Sequence, residues 1–270
     1  MILCQISDLH IKAERKLAYG VVDTAGMLER CFAQINQLPQ RPDAVVLTGD
    51  LVDHGRPEDY GVLRELLAPL AMPFYLLAGN HDERDALRAG FRDHAYLQHN
   101  DPFVQYVIDD LPVRLVALDT VIPGAGGGTL CSQRLEWLDR TLAASTRPTI
   151  VAMHHPPFAT GIGHMDRIGL DNAPAFGKVI ASHPCVERVI AGHLHRSIMV
   201  RFAGTVASTC PSPAHQVALD LAPDGTEGFI MEPPAFQLHY WDGIALVTHT
   251  SYIGDFAGPY PFRERGKLID

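Results

Sequence analysis

The 270-residue chain has no excess of positive charge: 22 Lys and Arg stand against 31 Asp and Glu, a formal net charge of −9. That balance weighs against non-specific attachment to a nucleic-acid backbone, which needs a basic surface to displace counterions. It does not exclude a phosphate ester, because a bound metal centre reverses the local field whatever the global charge. Long apolar runs are also missing. Hydrophobic residues make up 47% of the chain, but Gly, Pro and charged residues break them up, and no window approaches the roughly 20 apolar residues that span a bilayer. The opening stretch MILCQISDLH lacks a basic leader region and reads as a buried strand rather than a secretion signal, so a cytoplasmic location is expected. Cysteine is scarce: Cys4, Cys31, Cys131, Cys185 and Cys210 are odd in number, widely spaced and without a CxxC pair. This argues for reduced, buried thiols over a disulfide framework. The Gly-rich stretch 123–128 lacks the spacing of a phosphate cradle.

What is present alternates. Short apolar runs at Met1 to Ile6, Asp43 to Thr48, Pro73 to Leu77, Val113 to Leu118, Thr149 to Met153 and Val186 to Ile190 read as strands covered on both faces. Between them, Val22 to Leu38, Pro57 to Leu70, Ser132 to Ala144 and Asp171 to Ser182 carry apolar residues at helical intervals, with Pro57 as an N1 proline and Ser132 as an N-cap. This is the pattern of an α/β protein. From about Arg196 the chain turns strand-rich: Ser197 to Phe202, Ala214 to Leu221, Gly228 to Met231, Ala235 to Tyr240 and Gly243 to Thr250, with Asp242–Gly243 as a type I′ turn. Residues 1–270 are expected to form one domain, the segment from about 196 completing a second sheet and leaving room for a small cap or oligomerisation element.

Polar clusters follow the strands: Asp8 and His10, Gly49–Asp50, Gly79–Asn80–His81–Asp82, His154–His155, and Gly192–His193–Leu194–His195. In open α/β sheets ligands bind outside the carboxyl ends of the strands, so these clusters should converge. Two Asp, one Asn and four His make an O/N donor set suited to Zn, Mn, Fe or Co. Seven such side chains exceed the needs of one ion and match two ions sharing a carboxylate. Asp8 and His10 are two apart and project together if pleated; His193 and His195 repeat the spacing and offer one imidazole to each ion. A metal pair about 3.5–4 Å apart binds a non-bridging phosphoryl oxygen and supplies bound hydroxide near neutral pH, while an imidazolium or imidazole neutralises the departing alkoxide, a role that His81 fits by position.

DLH at 8–10, GD at 49–50, GNHD at 79–82, HH at 154–155 and GHLH at 192–195 resemble, in order and spacing, the calcineurin-like metallophosphoesterase superfamily. GRPEDY at 55–60, HHPP at 154–157 and AHQV at 214–217 bring the chain nearest to bacterial glycerophosphodiesterases and class III cyclic-nucleotide phosphodiesterases. The resemblance implies a four-layer αββα sandwich of two mixed sheets flanked by helices. It implies that Asp8, His10, Asp50 and His195 hold one metal, that Asp50, Asn80, His154 and His193 hold the other, and that Asp50 bridges. It places His81 and Asn80 at the phosphate and His215 near the substrate.

The protein phosphatases of that superfamily read GDxVDRG where this chain has GDLVDHG at 49–55. The missing arginine shifts weight from phosphoprotein monoesters to small diesters; Arg56 should point elsewhere, and His164 to Asp166 lie in a loop that can line the pocket. His155 is expected to support its neighbour, and Trp241 and the aromatic tail to pack on the second sheet or at a subunit contact. The expected protein is a homo-oligomeric, dinuclear phosphodiesterase. Its ions are divalent or mixed-valence, drawn from Mn, Zn, Fe and Co, and its substrates are glycerophosphodiesters and 3′,5′-cyclic nucleotides. It binds neither nucleic acid stably nor membrane. The alternatives are a phosphomonoesterase and a catalytically silent scaffold of the same fold.

Overall fold

A computed structural model describes all residues except 100, 101, 223, 265, 266, 269 and 270. Strands β1 (Ile2–Ile6), β2 (Ala44–Thr48) and β3 (Phe74–Leu77) run parallel. The second sheet contains β4 (Tyr106–Ile108), β5 (Arg114–Ala117), β6 (Thr149–Ala152), β7 (Val186–Ala191), β8 (Met199–Phe202) and β9 (Thr205–Thr209) in the order β4-β5-β6-β7-β9-β8. Its four central strands are parallel, and β4 and β8 are antiparallel edges. A short hairpin of β10 (Gln216–Val217) and β11 (Phe229–Ile230) follows. Then β12 (Ala235–Trp241) returns to pair antiparallel with β1, and β13 (Leu246–Tyr252) closes the first sheet in the order β13-β12-β1-β2-β3. The helices are α1 (Thr24–Asn36), α2 (Pro57–Leu67), α3 (Arg84–Gly90), α4 (Ser132–Ala143), α5 (Gly163–Asp166) and α6 (Ala173–Ala181).

The pleat sorts the layers. Leu115, Ala117, Ile150 and Ala152 face the core shared with the first sheet, whereas their neighbours Val116, Val151 and Met153 pack with Leu138 and Leu142 of α4 and Phe176 and Ile180 of α6. Both faces are apolar because both are covered. On the far side Leu28, Phe32 and Ile35 of α1 and Leu63, Leu66 and Leu67 of α2 complete the sandwich, so the expected αββα order is the observed one.

Four local readings change. The last third supplies strands to both sheets: β8 and β9 extend the six-stranded sheet, and β12 and β13 extend the other. Hydrophobic pattern marks a strand but not its partner, which is set by register and connection. The run Ala214 to Leu221 shrinks to two paired residues; α3 and β4 are too short to stand out in the pattern, and β9 does not because its Thr and Ser residues break the apolar run. Ser132 is the first helical residue, preceded by Cys131 without a side-chain cap bond. At the β12–β13 turn the Asp242 N–H donates to the Ala245 carbonyl, and Gly243 alone of the two central residues has left-handed φ (+105°). The turn is therefore of type II′ pattern, with Asp242 before it accepting from the N–H groups of Ile244 and Ala245.

Candidate metal centre

β1, β2, β3, β6 and β7 all end at one rim of the sandwich, and the polar clusters sit just beyond them. The two sheets are tied there by direct bonds. The His193 N–H donates to Asp8 Oδ1 (2.9 Å), His154 Nδ1 to the Thr48 carbonyl (2.9 Å) and Gln5 Nε2 to the Ala191 carbonyl (2.9 Å). Asp8, His10, Asp50, His193 and His195 all have positive φ, between 47° and 70°. The two-residue spacing of Asp8 and His10 therefore works through left-handed backbone and not through a pleat. Such conformations cost of order 1–3 kcal/mol each and persist only where the surroundings over-determine them. At Gly192 a Cβ would lie 2.0 Å from Ser7 Oγ and 2.8 Å from the Thr48 carbonyl oxygen, so only glycine lets the two sheets approach this closely.

Hydrogen bonds set each imidazole's tautomer. His10 Nδ1 donates to Asp53 Oδ1 (3.2 Å) and His195 Nδ1 to the His215 carbonyl (3.0 Å), which leaves both Nε2 lone pairs facing each other at 3.2 Å. With His154 Nδ1 committed to Thr48, its Nε2 faces Asn80 Oδ1 at 3.0 Å and Asp50 Oδ1 at 3.4 Å. His193 Nε2 donates to the Ile168 carbonyl (3.0 Å), freeing Nδ1. Asp8 Oδ2 is buried without any hydrogen-bond partner. Acceptors converging on acceptors, with an orphaned carboxylate oxygen beside them, are what divalent cations would satisfy. Among the described residues the donor atoms cluster in four groups, three sharing His10 (with Asp8 and Asp50, with Asp53 and His81, and with His195 and His215) and one formed by His154, His155 and His193.

The electrostatics agree. Burial holds Asp8 up at about 6, against the pull of His154. Burial also works to raise Asp50, but His154, His81 and His10 together hold it well below the usual carboxylate range. Burial disfavours charge on His154, yet Asp50 and Asp8 raise it to about 9; the pocket calls for positive charge. Burial pushes His193 down to about 3 and His195 well below its ordinary value, which keeps both rings neutral as ligation requires.

Every residue singled out at the strand ends reaches this rim. His81 lies beside His10 (ring centroids 4.7 Å apart), its Nδ1 donating to the Asp53 carbonyl (2.9 Å) and its N–H to Asp50 Oδ1 (2.9 Å). His215 contributes its carbonyl to His195 and its ring to the cavity wall. His155 is buried, bonded through Nδ1 to Thr120 Oγ1 (2.8 Å) and through Nε2 to the Gly126 carbonyl (3.1 Å). Asp82 accepts from Leu51 N–H, Gly79 N–H and Tyr60 O–H, beneath the site. His54 and Arg56 point to solvent, Arg56 at the N-cap position of α2. Two contributions escaped sequence reasoning. Asp53 aligns His10, and the motif that contains it was the available signal; the carbonyls of Thr48, Ile168 and His215 orient three other rings, and no side-chain pattern encodes a carbonyl. A cavity of about 240 Å³ opens over the centre, lined also by Tyr19, His164, Met165, Ile168, Val217 and Phe229.

Two stacked sheets with a His, Asp and Asn donor set at their shared rim define a metallophosphoesterase. The chain belongs to the calcineurin-like phosphoesterase family, whose model matches residues 1–197. It is 41% identical to a probable glycerophosphodiester phosphodiesterase of Arcobacter nitrofigilis, covering 100% of both chains. It is 34% identical to a cAMP/cGMP dual specificity phosphodiesterase of Mycobacterium tuberculosis, covering 84% of this chain and 72% of that one. A crystal structure of a dimetal phosphatase from Danio rerio shares the fold with a TM-score of 0.69 at 17% identity, covering 94% of this chain and 98% of that one. Family membership implies a dinuclear centre of divalent ions, and the clusters described above fit it.

Proposed function

We propose that the protein is a dinuclear metal-dependent phosphodiesterase acting on small phosphodiesters, glycerophosphodiesters first and 3′,5′-cyclic nucleotides second. The observation that carries this reading is the complete and convergent donor set. Asp8, His10, Asp50 and His195 would hold one ion, Asp50, Asn80, His154 and His193 the other, with Asp50 between them. Bound there, two ions drawn from Mn, Zn, Fe and Co would supply Lewis-acid activation of water and neutralise charge on the phosphoryl oxygens. The chain's own groups do the rest. Asp53 and the carbonyls of Thr48, Ile168 and His215 keep ligand lone pairs aimed inward. His81, with Nδ1–H held by the Asp53 carbonyl, would act in its imidazolium form, giving its Nε2 proton to the departing oxygen, and Asn80 and His215 contact the substrate. Homologues named for diester hydrolysis support the substrate class.

The deciding experiment titrates the metal-free protein with Mn, Zn, Co and Fe and follows matched aryl diesters and monoesters. Diester turnover saturating near two ions per chain is expected. Preference for the monoester would make it a phosphomonoesterase, and binding of metal without turnover of either ester would leave a silent scaffold. We further read residues 1–270 as one domain that self-associates through its exposed aromatic tail, where Phe256, Tyr260 and Phe262 are 68%, 75% and 86% exposed rather than packed on a sheet. Sedimentation reads that state. The unpaired thiols, with Cys4, Cys31 and Cys210 buried, support a reducing, cytoplasmic compartment; among the described residues no helix is long and apolar enough to cross a membrane.

A further inference from the structure

One wall of the cavity holds none of the proposed ligands. Tyr19, His215 and Phe229 form a closed ring cluster, with centroids 5.2 Å apart for Tyr19 and His215, 5.0 Å for Tyr19 and Phe229, and 5.3 Å for His215 and Phe229. His215 is buried, but Tyr19 and Phe229 remain 53% and 37% exposed at the mouth, and Val217 and Met165 continue the wall. Large apolar groups left facing water beside a polar centre mark a ligand-binding surface. The surface is continuous with the centre, because His215 turns its ring to the wall while its carbonyl holds His195 (3.0 Å). Its occupant therefore belongs to the molecule whose phosphate reaches the metals. Among the described residues that line the cavity none is lysine or arginine, so a second anionic group would find no permanently charged side chain there.

We infer that this wall is a subsite for an uncharged aromatic or apolar arm of the phosphodiester, and that Phe229 is its specificity-determining residue. The inference rests on the phosphodiesterase reading and adds what one of the ester's two alcohols must be. A phenyl arm seated on Phe229 and Tyr19 gains by burial and by ring-on-ring contact, while a carboxylate-bearing arm loses its hydration without a compensating cation.

The test uses metal-loaded protein and methylphosphinates, R(CH3)PO2−, which carry the single charge of a diester and no ester bond. Binding is read by calorimetry for R = methyl, 2,3-dihydroxypropyl, phenyl and 2-carboxyethyl. Phenyl is expected to bind about 10- to 100-fold more tightly than methyl, and 2-carboxyethyl more weakly than methyl. Phe229→Ser should bring the phenyl-to-methyl ratio below about threefold with metal content per chain unchanged, while Phe229→Leu, apolar but without the ring, should leave an intermediate ratio. Equal binding of phenyl and methyl by the unaltered protein, or a ratio that survives in both Phe229→Ser and Tyr19→Ser, overturns the inference. Diester turnover with arm-blind binding overturns the subsite alone; arm-selective binding without turnover of any diester overturns the hydrolase reading and retains the subsite.

Discussion

Asp53 shows how much of the centre depends on residues that hold no metal. Its Oδ1 accepts from His10 Nδ1 at 3.2 Å and its Oδ2 lies 3.1 Å from Lys12 Nζ. Burial works to raise its carboxyl, but His10 and Lys12 hold it below the usual range, so it stays charged behind the imidazole. Asp53→Asn keeps an acceptor and removes the charge that makes His10 basic. Metal titration of that variant is expected to show affinity weakened about 10- to 100-fold; unchanged affinity would mean that the carbonyls orient the rings without help. His81 carries a different expectation. If it delivers a proton to the departing oxygen, His81→Ala should cost about 10²- to 10⁴-fold on alkyl esters and far less on 4-nitrophenyl esters, whose leaving group needs no proton. Equal losses on both would remove the proton-transfer role.

At the scale of elements, the centre is built from strand ends and the turns that follow them. Asp8, Asp50 and His193 take left-handed backbone, which turns the chain sharply where each strand ends. The tightest of these exits is at Gly192, between the Ala191 end of β7 and His193, where its N–H donates to the His154 carbonyl at 3.0 Å. Gly192→Ala places a methyl against buried Ser7 and the Thr48 carbonyl and must spread β1 and β2 from β7. A loss of about 1–3 kcal/mol in denaturant unfolding is expected, with weaker metal binding because the His193 N–H is drawn off Asp8. Stability within 0.5 kcal/mol of the parent, on the order of an ordinary surface change, would show that the rim can yield. The motif GHLH made this glycine visible; the sequence did not show what it approaches.

Across the whole molecule, a buried polar chain joins the sheets. Gln5 Nε2 reaches Thr48 Oγ1 and the Ala191 carbonyl, and Gln5 Oε1 accepts from His239 Nε2 at 3.0 Å. His239 Nδ1 meets Thr248 Oγ1 at 2.8 Å, and Thr248 accepts from Arg188 of β7. Burial, aided by Arg188, pushes His239 down to about 3. The unfolded chain takes up this proton near pH 6.5 and the folded one only near 3, so stability is full above pH 6.5 and falls as pH drops through that window, by up to about 1.4 kcal/mol per unit. Unfolding of His239→Gln compared with the parent across pH 7 to 3 should show this share of the acid loss absent from the variant. Parallel curves would assign the loss elsewhere. Among the histidines without motif context, His239 is thus the one that links Gln5 and Thr248, two residues that bond across to β7.

The α/β alternation, the six parallel-type strands and the donor residues that follow them can be read along the chain, because apolar period and residue chemistry are local properties written in order. Asp8, His10, Asp50, Asn80, His154, His193 and His195 were all legible in this way. Folding in three dimensions was needed to place β12 and β13 on the first sheet, to aim the imidazoles with Asp53 and three carbonyls, and to bring Tyr19 and Phe229 together on one cavity wall. Those outcomes depend on which surfaces approach one another in space, and a backbone carbonyl or an exposed ring carries no sign in the sequence of what it will face.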